Sequence, residues 1–142
     1  MNALQSLEIL RIPLELPIKP NRSAFNRWFW EALEQGRFET VECSGCGKTS
    51  FPPRPDCPNC LEGRMRWRQL SGVGTLYTRT VVRVVPERLL ESAPLPVGIV
   101  DLDDGVRLLC SLVGEQPIAI GKRVRLVVLQ YLDGVLFAAT QA

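Results

Sequence analysis

Two Cys-x-x-Cys pairs, Cys43-Ser44-Gly45-Cys46 and Cys57-Pro58-Asn59-Cys60, constrain this chain more than any other stretch. Thiolates at that spacing converge on one tetrahedral ion, with Zn–S bonds of about 2.3 Å. Gly45 and Gly47 give the first turn its backbone freedom, Pro58 restricts the second, and the run Phe51-Pro52-Pro53-Arg54-Pro55 stiffens the return leg. The short loop between the pairs suits a compact ribbon better than a finger with a helix. Structural Zn²⁺ is the expected occupant, with Cys43, Cys46, Cys57 and Cys60 as its ligands. Iron is the alternative an S₄ set admits, and paired disulfides are a third reading. Four sulfurs leave no open coordination position, so the site shapes the chain and does not react. On this reading a chelator melts residues 38–69 and leaves the C-terminal part folded.

The remaining composition narrows the function. There is no histidine among the 142 residues, which removes the usual general base, the Ser–His and Cys–His nucleophile pairs and every His-bound metal. A net charge of +2 supplies no general field for nucleic acid or an anionic membrane. No apolar run reaches the ~20 residues a bilayer span needs, and the first residues lack a signal peptide's pattern. Five cysteines, four in metal spacing, fit a reducing cytoplasm.

Along the chain, residues 1–22 carry Leu4, Leu7, Ile9, Leu10 and Ile12, followed by Pro13, Pro17 and Pro20. They read as an extended arm packed along this chain or a neighbour, or as a disordered tail. Residues 23–36 read as a helix, capped by Ser23 and closed by Gly36. Its apolar stripe is Phe25, Trp28, Phe29, Ala32 and Leu33; Trp30 falls off it and marks either an ordinary amphipathic helix or a partner contact. The ribbon runs to Leu70, with Phe38, Val41 and Phe51 flanking the metal. Arg64, Arg66 and Arg68 share one face of a strand, either as a solvated face or as a phosphate contact.

Ser71-Gly72-Val73-Gly74 reads as a hinge. Beyond it, five strand-like segments are expected at 75–85, 97–103, 106–113, 122–131 and 135–140, with hairpin turns at Asp103-Asp104-Gly105 and Asp133-Gly134. Five short strands with no helix between most of them predict a small closed barrel of the OB type. The whole is mostly β: an arm at 1–22, a helix plus ribbon at 23–70, and a barrel at 71–142. Asp101, Asp103 and Asp104 offer paired carboxylates, although aspartate beside glycine is favoured for turn geometry alone. Cys110, within an apolar strand, reads as a small buried side chain.

Taken in order, Phe29-Trp30, Cys43-x-x-Cys46-Gly47, Phe51-Pro52-Pro53-Arg54, Cys57-Pro58-x-Cys60, Trp67, Ser71-Gly72-x-Gly74-Thr75-x-Tyr77, Asp101-Leu102-Asp103-Asp104-Gly105 and Leu112-Val113-Gly114 resemble the DUF35 family. The resemblance covers about residues 23–140, with Val73 standing where the family often has arginine. It implies a rubredoxin-like zinc ribbon joined to an acyl-CoA-associated OB-fold. It also implies a non-catalytic accessory subunit bound in a hetero-oligomer to thiolase-fold, ketosynthase-like or hydratase enzymes, helping to seat the CoA part of an acyl-CoA. Arg64, Arg66, Arg68, Arg79 and Arg83 are then the candidate contacts to CoA phosphates, because guanidinium matches phosphate geometry. The alternative is a module for single-stranded nucleic acid. That mode needs a basic groove with stacked rings, which a 7% aromatic content serves poorly.

Overall fold

The structure, a computed structural model, describes residues 6–61 and 64–142, so Leu4 of the expected arm lies outside the described residues. Among the described residues, nine strands form two sheets, and one α-helix packs against them. The first is a three-stranded ribbon in the order β3-β2-β4, built from β2 (Phe38–Cys43), β3 (Thr49–Ser50) and β4 (Met65–Leu70). The second is built from β5 (Val73–Val82), β6 (Leu95–Leu102), β7 (Arg107–Leu112), β8 (Arg123–Tyr131) and β9 (Gly134–Gln141). Its order β5-β6-β7-β9-β8 closes on itself through β8 and β5, giving the five-stranded barrel of an OB-fold. No helix among the described residues is long and apolar enough to cross a membrane.

The helix α1 (Arg27–Glu34) starts four residues after Ser23. Ser23 and Asn26 instead form a reciprocal turn, each backbone N–H bonding the other's side-chain oxygen. The helix closes as its sequence suggests. Gly36 has φ +81°, its N–H donates to the Leu33 carbonyl at 3.0 Å, and Arg37 N–H donates to Ala32 at 2.9 Å. Phe29, Ala32 and Leu33 are buried, whereas Phe25 and Trp28 lean on Trp67 of β4, with ring centroids 5.5 and 6.3 Å away.

The arm is a strand. β1 (Glu8–Arg11) lies parallel to β8, with Glu8 opposite Val127 and Arg11 opposite Gln130. It takes the stretch of β8 beyond Arg125 that β5 leaves vacant. Glycines seat it: a Cβ on Gly72 would come 2.8 Å from Leu7 Cδ2, and one on Gly134 would come 2.5 Å from Leu16 Cδ1.

Ser71-Gly72 is a packed joint and not a slack hinge. Ser71 N–H and Oγ both bond Asp104 Oδ2 at 2.9 Å, and a Cβ on Gly74 would sit 2.3 Å from the Asp101 carbonyl oxygen. Across the joint runs one hydrophobic core in which Phe29, Leu33, Phe38 and Leu70 meet Leu76, Val100, Leu126 and Val135. Phe38 and Phe51 belong to a four-ring cluster with Phe29 and Phe137 of β9. The Phe38–Phe137 centroids are 5.1 Å apart and edge-on, an arrangement worth about 0.5–1.5 kcal/mol beyond area burial.

Candidate metal centre and arginine-bearing surfaces

Each knuckle is wound by its backbone. Gly47 N–H donates to the Cys43 carbonyl at 2.8 Å, and Leu61 N–H donates to the Cys57 carbonyl at 2.9 Å. The residue after each second cysteine therefore takes a left-handed turn, with φ +79° at Gly47 and +61° at Leu61. The two turns face each other because Cys43 ends β2, which is paired through β4.

All four Sγ atoms lie within 4.8 Å of one another. Cys43 and Cys60 sulfurs are 3.5 Å apart, and those of Cys46 and Cys57 are 3.6 Å apart. Those separations exceed the about 2.05 Å of a disulfide. They approach the edge of a tetrahedron with 2.3 Å arms, about 3.8 Å. The Cys60 N–H points at Cys57 Sγ at 3.5 Å, and backbone donors of this kind draw the Cys57 thiol down to about 6. Clustered in a tetrahedral arrangement, with Cys43 and Cys57 buried, this set of four sulfur donors fits a structural zinc ion.

The aspartates at the β6–β7 turn are committed elsewhere. Asp101 takes a two-point contact from Arg107, at 2.6 and 3.0 Å, and that guanidinium lies 3.9 Å from the Tyr77 ring centroid. Asp103 is gripped by Arg123, and Asp104 holds Ser71 while Arg68 approaches it at 3.5 Å. The arginine hydrogen bonds hold both Asp101 and Asp103 below the ordinary carboxylate range. A carboxylate so paired is poorly placed to exchange protons at neutral pH. Cys110 is buried, and desolvation pushes its thiol up to about 12.

The five candidate arginines separate into two places. Arg64, Arg66 and Arg68 belong to the ribbon; Arg66 pairs with Glu42 at 3.4 Å, and Arg68 also bonds Thr49 at 3.0 Å. Arg79 lies in β5 and Arg83 just beyond it, both exposed and neither in an ion pair among the described residues. Period-two spacing located the first group. The free pair at the barrel hairpin carries no comparable pattern.

Trp30, the off-stripe residue, is half-buried against the chain's own core. Its ring meets Phe29 at 4.9 Å, and the Arg22 guanidinium stands 5.8 Å from its centroid. The half-exposed indole is that of Trp28, whose N–H bonds Glu39 at 3.1 Å.

These features define a class: a rubredoxin-like zinc ribbon locked onto an OB-fold barrel. Residues 30–66 match the family described as the ChsH2 rubredoxin-like zinc ribbon domain, and residues 67–129 match the ChsH2 C-terminal OB-fold domain. The chain belongs to the DUF35 family. A DUF35 domain-containing scaffold protein of Methanocaldococcus jannaschii is 36% identical over 90 residues, 61% of this chain and 64% of that one. A probable enoyl-CoA hydratase alpha subunit of Thermomonospora curvata is 34% identical over 107 residues, 74% of this chain but 33% of that protein. The chain thus spans under two thirds of these relatives. Among solved structures, a chain of the Ltp2-ChsH2(DUF35) aldolase superposes with a TM-score of 0.75 at 30% identity, covering 87% of this chain and 98% of that one.

Proposed function

We propose that this chain is a non-catalytic subunit of an acyl-CoA-processing complex. In this reading Cys43, Cys46, Cys57 and Cys60 hold one Zn²⁺. The arm (1–22), helix and ribbon (23–70) and barrel (71–142) form a unit that docks on a thiolase-fold or ketosynthase-like enzyme and scaffolds it. Arg64, Arg66, Arg68, Arg79 and Arg83 are its candidate contacts to the phosphates of CoA. The observation that carries the reading is the near-complete overlap with the Ltp2-ChsH2(DUF35) chain. The committed aspartates and the buried Cys110 agree with it, since they offer neither base nor nucleophile.

Purification of the tagged chain from its native cell, followed by identification of what comes with it, tests the reading. A thiolase-fold companion is expected. A hydratase companion would keep the scaffold role and replace the thiolase assignment. A chain recovered alone, monomeric and indifferent to CoA, would refute it. A salt-dependent oligonucleotide titration removes the nucleic-acid alternative if no binding is seen at low salt.

A further inference from the structure

The β5–β6 hairpin runs past the closed part of the barrel. β5 pairs with β8 only from Val73 to Thr75, and no described strand lies along the other edge of Thr78–Val82. Leu76 fixes which backbone groups face that edge. Its N–H donates to the Lys122 carbonyl and its carbonyl accepts from Gly121 N–H, both away from β6. Its partner Val100 therefore turns toward β7, and by the period of two so do Gly98 and Pro96. Arg79 stands opposite Gly98 and Val81 opposite Pro96, so both turn their N–H and C=O groups to the open edge. Pro96 agrees with this phase. β6 and β7 pair only from Val97 onward, so the missing proline N–H leaves no bond unmade. No described backbone group bonds Arg79 or Val81 along the open edge.

An edge of β-branched residues with unmade backbone bonds is a template for another strand. The edge is self-complementary in one register. Residues that face each other across a sheet point to the same side of it, so a twofold axis normal to the sheet must set one residue of β5 opposite its own copy. Only an axis near the middle of Thr78–Val82 overlaps two such strands along their open length. An axis at Arg79 sets that arginine against itself, and one at Val81 sets Arg79 against Arg83. Like charges directly opposite are destabilising. An axis at Thr80 avoids both. It places Arg79 against Val81, the two residues whose groups are open, so each exchanges N–H···O=C bonds with the other's copy. The two Thr80 side chains then lie side by side in a non-bonded pair. We infer that the open β5 edge seats a second copy of this chain, joined antiparallel about a twofold axis at Thr80. Two barrels then share one continuous sheet. A strand from a different protein would require none of this self-complementarity. A pairing this short buries less than the about 1,200 Å² of a standard interface, so the dimer forms as concentration rises.

Sedimentation of the full, zinc-loaded chain over a concentration series tests the inference, together with cysteine cross-linking. The mass is expected to rise from one chain to two. Val81→Pro removes an N–H that only the second copy uses, and should hold the chain at its single mass while its melting curve shows the barrel still folded. Thr80→Cys should cross-link to its own copy on oxidation, because Cα atoms of a non-bonded antiparallel pair lie about 4.5 Å apart, within disulfide range. Thr78→Cys alone should not, since its copy is four residues away, about 13 Å. An equal mixture of Thr78→Cys and Val82→Cys chains should cross-link. Arg79→Gln should tighten the dimer about twofold or more, because the arginines remain diagonal neighbours. A single-chain mass at every concentration with no Thr80→Cys cross-link would overturn the inference. So would a dimer that survives Val81→Pro, or a Thr78→Cys chain that links to itself in place of Thr80→Cys. Hydrogen-exchange protection of the Arg79 and Val81 amides that appears only with a companion enzyme would give the edge to that enzyme and overturn the second copy as its occupant.

Discussion

Leu61 shows how a single residue departs from what its neighbours require. It occupies in the second knuckle the place Gly47 occupies in the first, with φ +61° against +79°. A left-handed leucine costs about 1–2 kcal/mol relative to its ordinary conformations. Its side chain is 80% exposed, so little packing offsets that cost. Leu61→Gly is therefore expected to stabilise the metal-loaded chain, by up to about 1 kcal/mol once unfolded-state entropy is counted; a lower melting temperature would show that the side chain does work the structure does not reveal. The aspartates make a second residue-scale case. Hydrogen bonds from Arg107 and Arg123 lower the folded pKa of Asp101 and Asp103. Their contribution is present above the unfolded value of about 3.9 and fades as pH falls through the lowered folded value. Both pairs are half-exposed, so screening keeps the effect small. Asp103→Asn should flatten the acid limb of a stability–pH curve below about pH 4 and scarcely move the midpoint at pH 7. The turn chemistry was legible from Asp103-Asp104-Gly105, where Gly105 takes φ +90°. The arginine partners were not, because Arg123 reaches Asp103 across 20 residues.

At the scale of elements, β-branched runs and glycine turns placed all five barrel strands within about two residues of their ends, except that β5 stops at Val82, three residues short of the expected end. Strand signals are local, and antiparallel neighbours joined by tight turns need little else. The arm is the opposite case. β1 pairs in parallel with a strand more than a hundred residues later, and nothing within residues 8–11 announces that partner. β3 leaves no signal in the sequence, because two residues carry no period. The aromatic joint was also hidden: Phe38 and Phe51 read as company for the metal, whereas Phe137 of β9 gathers them at the barrel. Phe38 is 1% exposed in that cluster. Phe38→Ala is expected to cost about 3–5 kcal/mol in chemical denaturation, as large-to-small changes in cores do. A loss below about 1 kcal/mol would mean that the joint closes around the gap.

At the scale of the molecule, a single core spans ribbon and barrel, which changes what metal removal should do. The sequence alone suggested that residues 38–69 melt together. With Phe38 and Leu70 buried in the common core and β2 paired to β4 along six residues, both strands stay anchored when the ion leaves. The expected loss is confined to the knuckles, roughly residues 43–61, as faster amide exchange upon chelation, with the barrel strands unchanged. Exchange rising across β8 and β9 would show that the ion supports the whole fold. On the proposed scaffold role, the metal-held knuckles are one surface by which such a unit grips a partner. The most direct test is the light-scattering mass of the zinc-loaded chain mixed with its purified companion enzyme. The predicted result is one hetero-oligomer containing both chains, lost with Cys57→Ser; two species at their separate masses would contradict it.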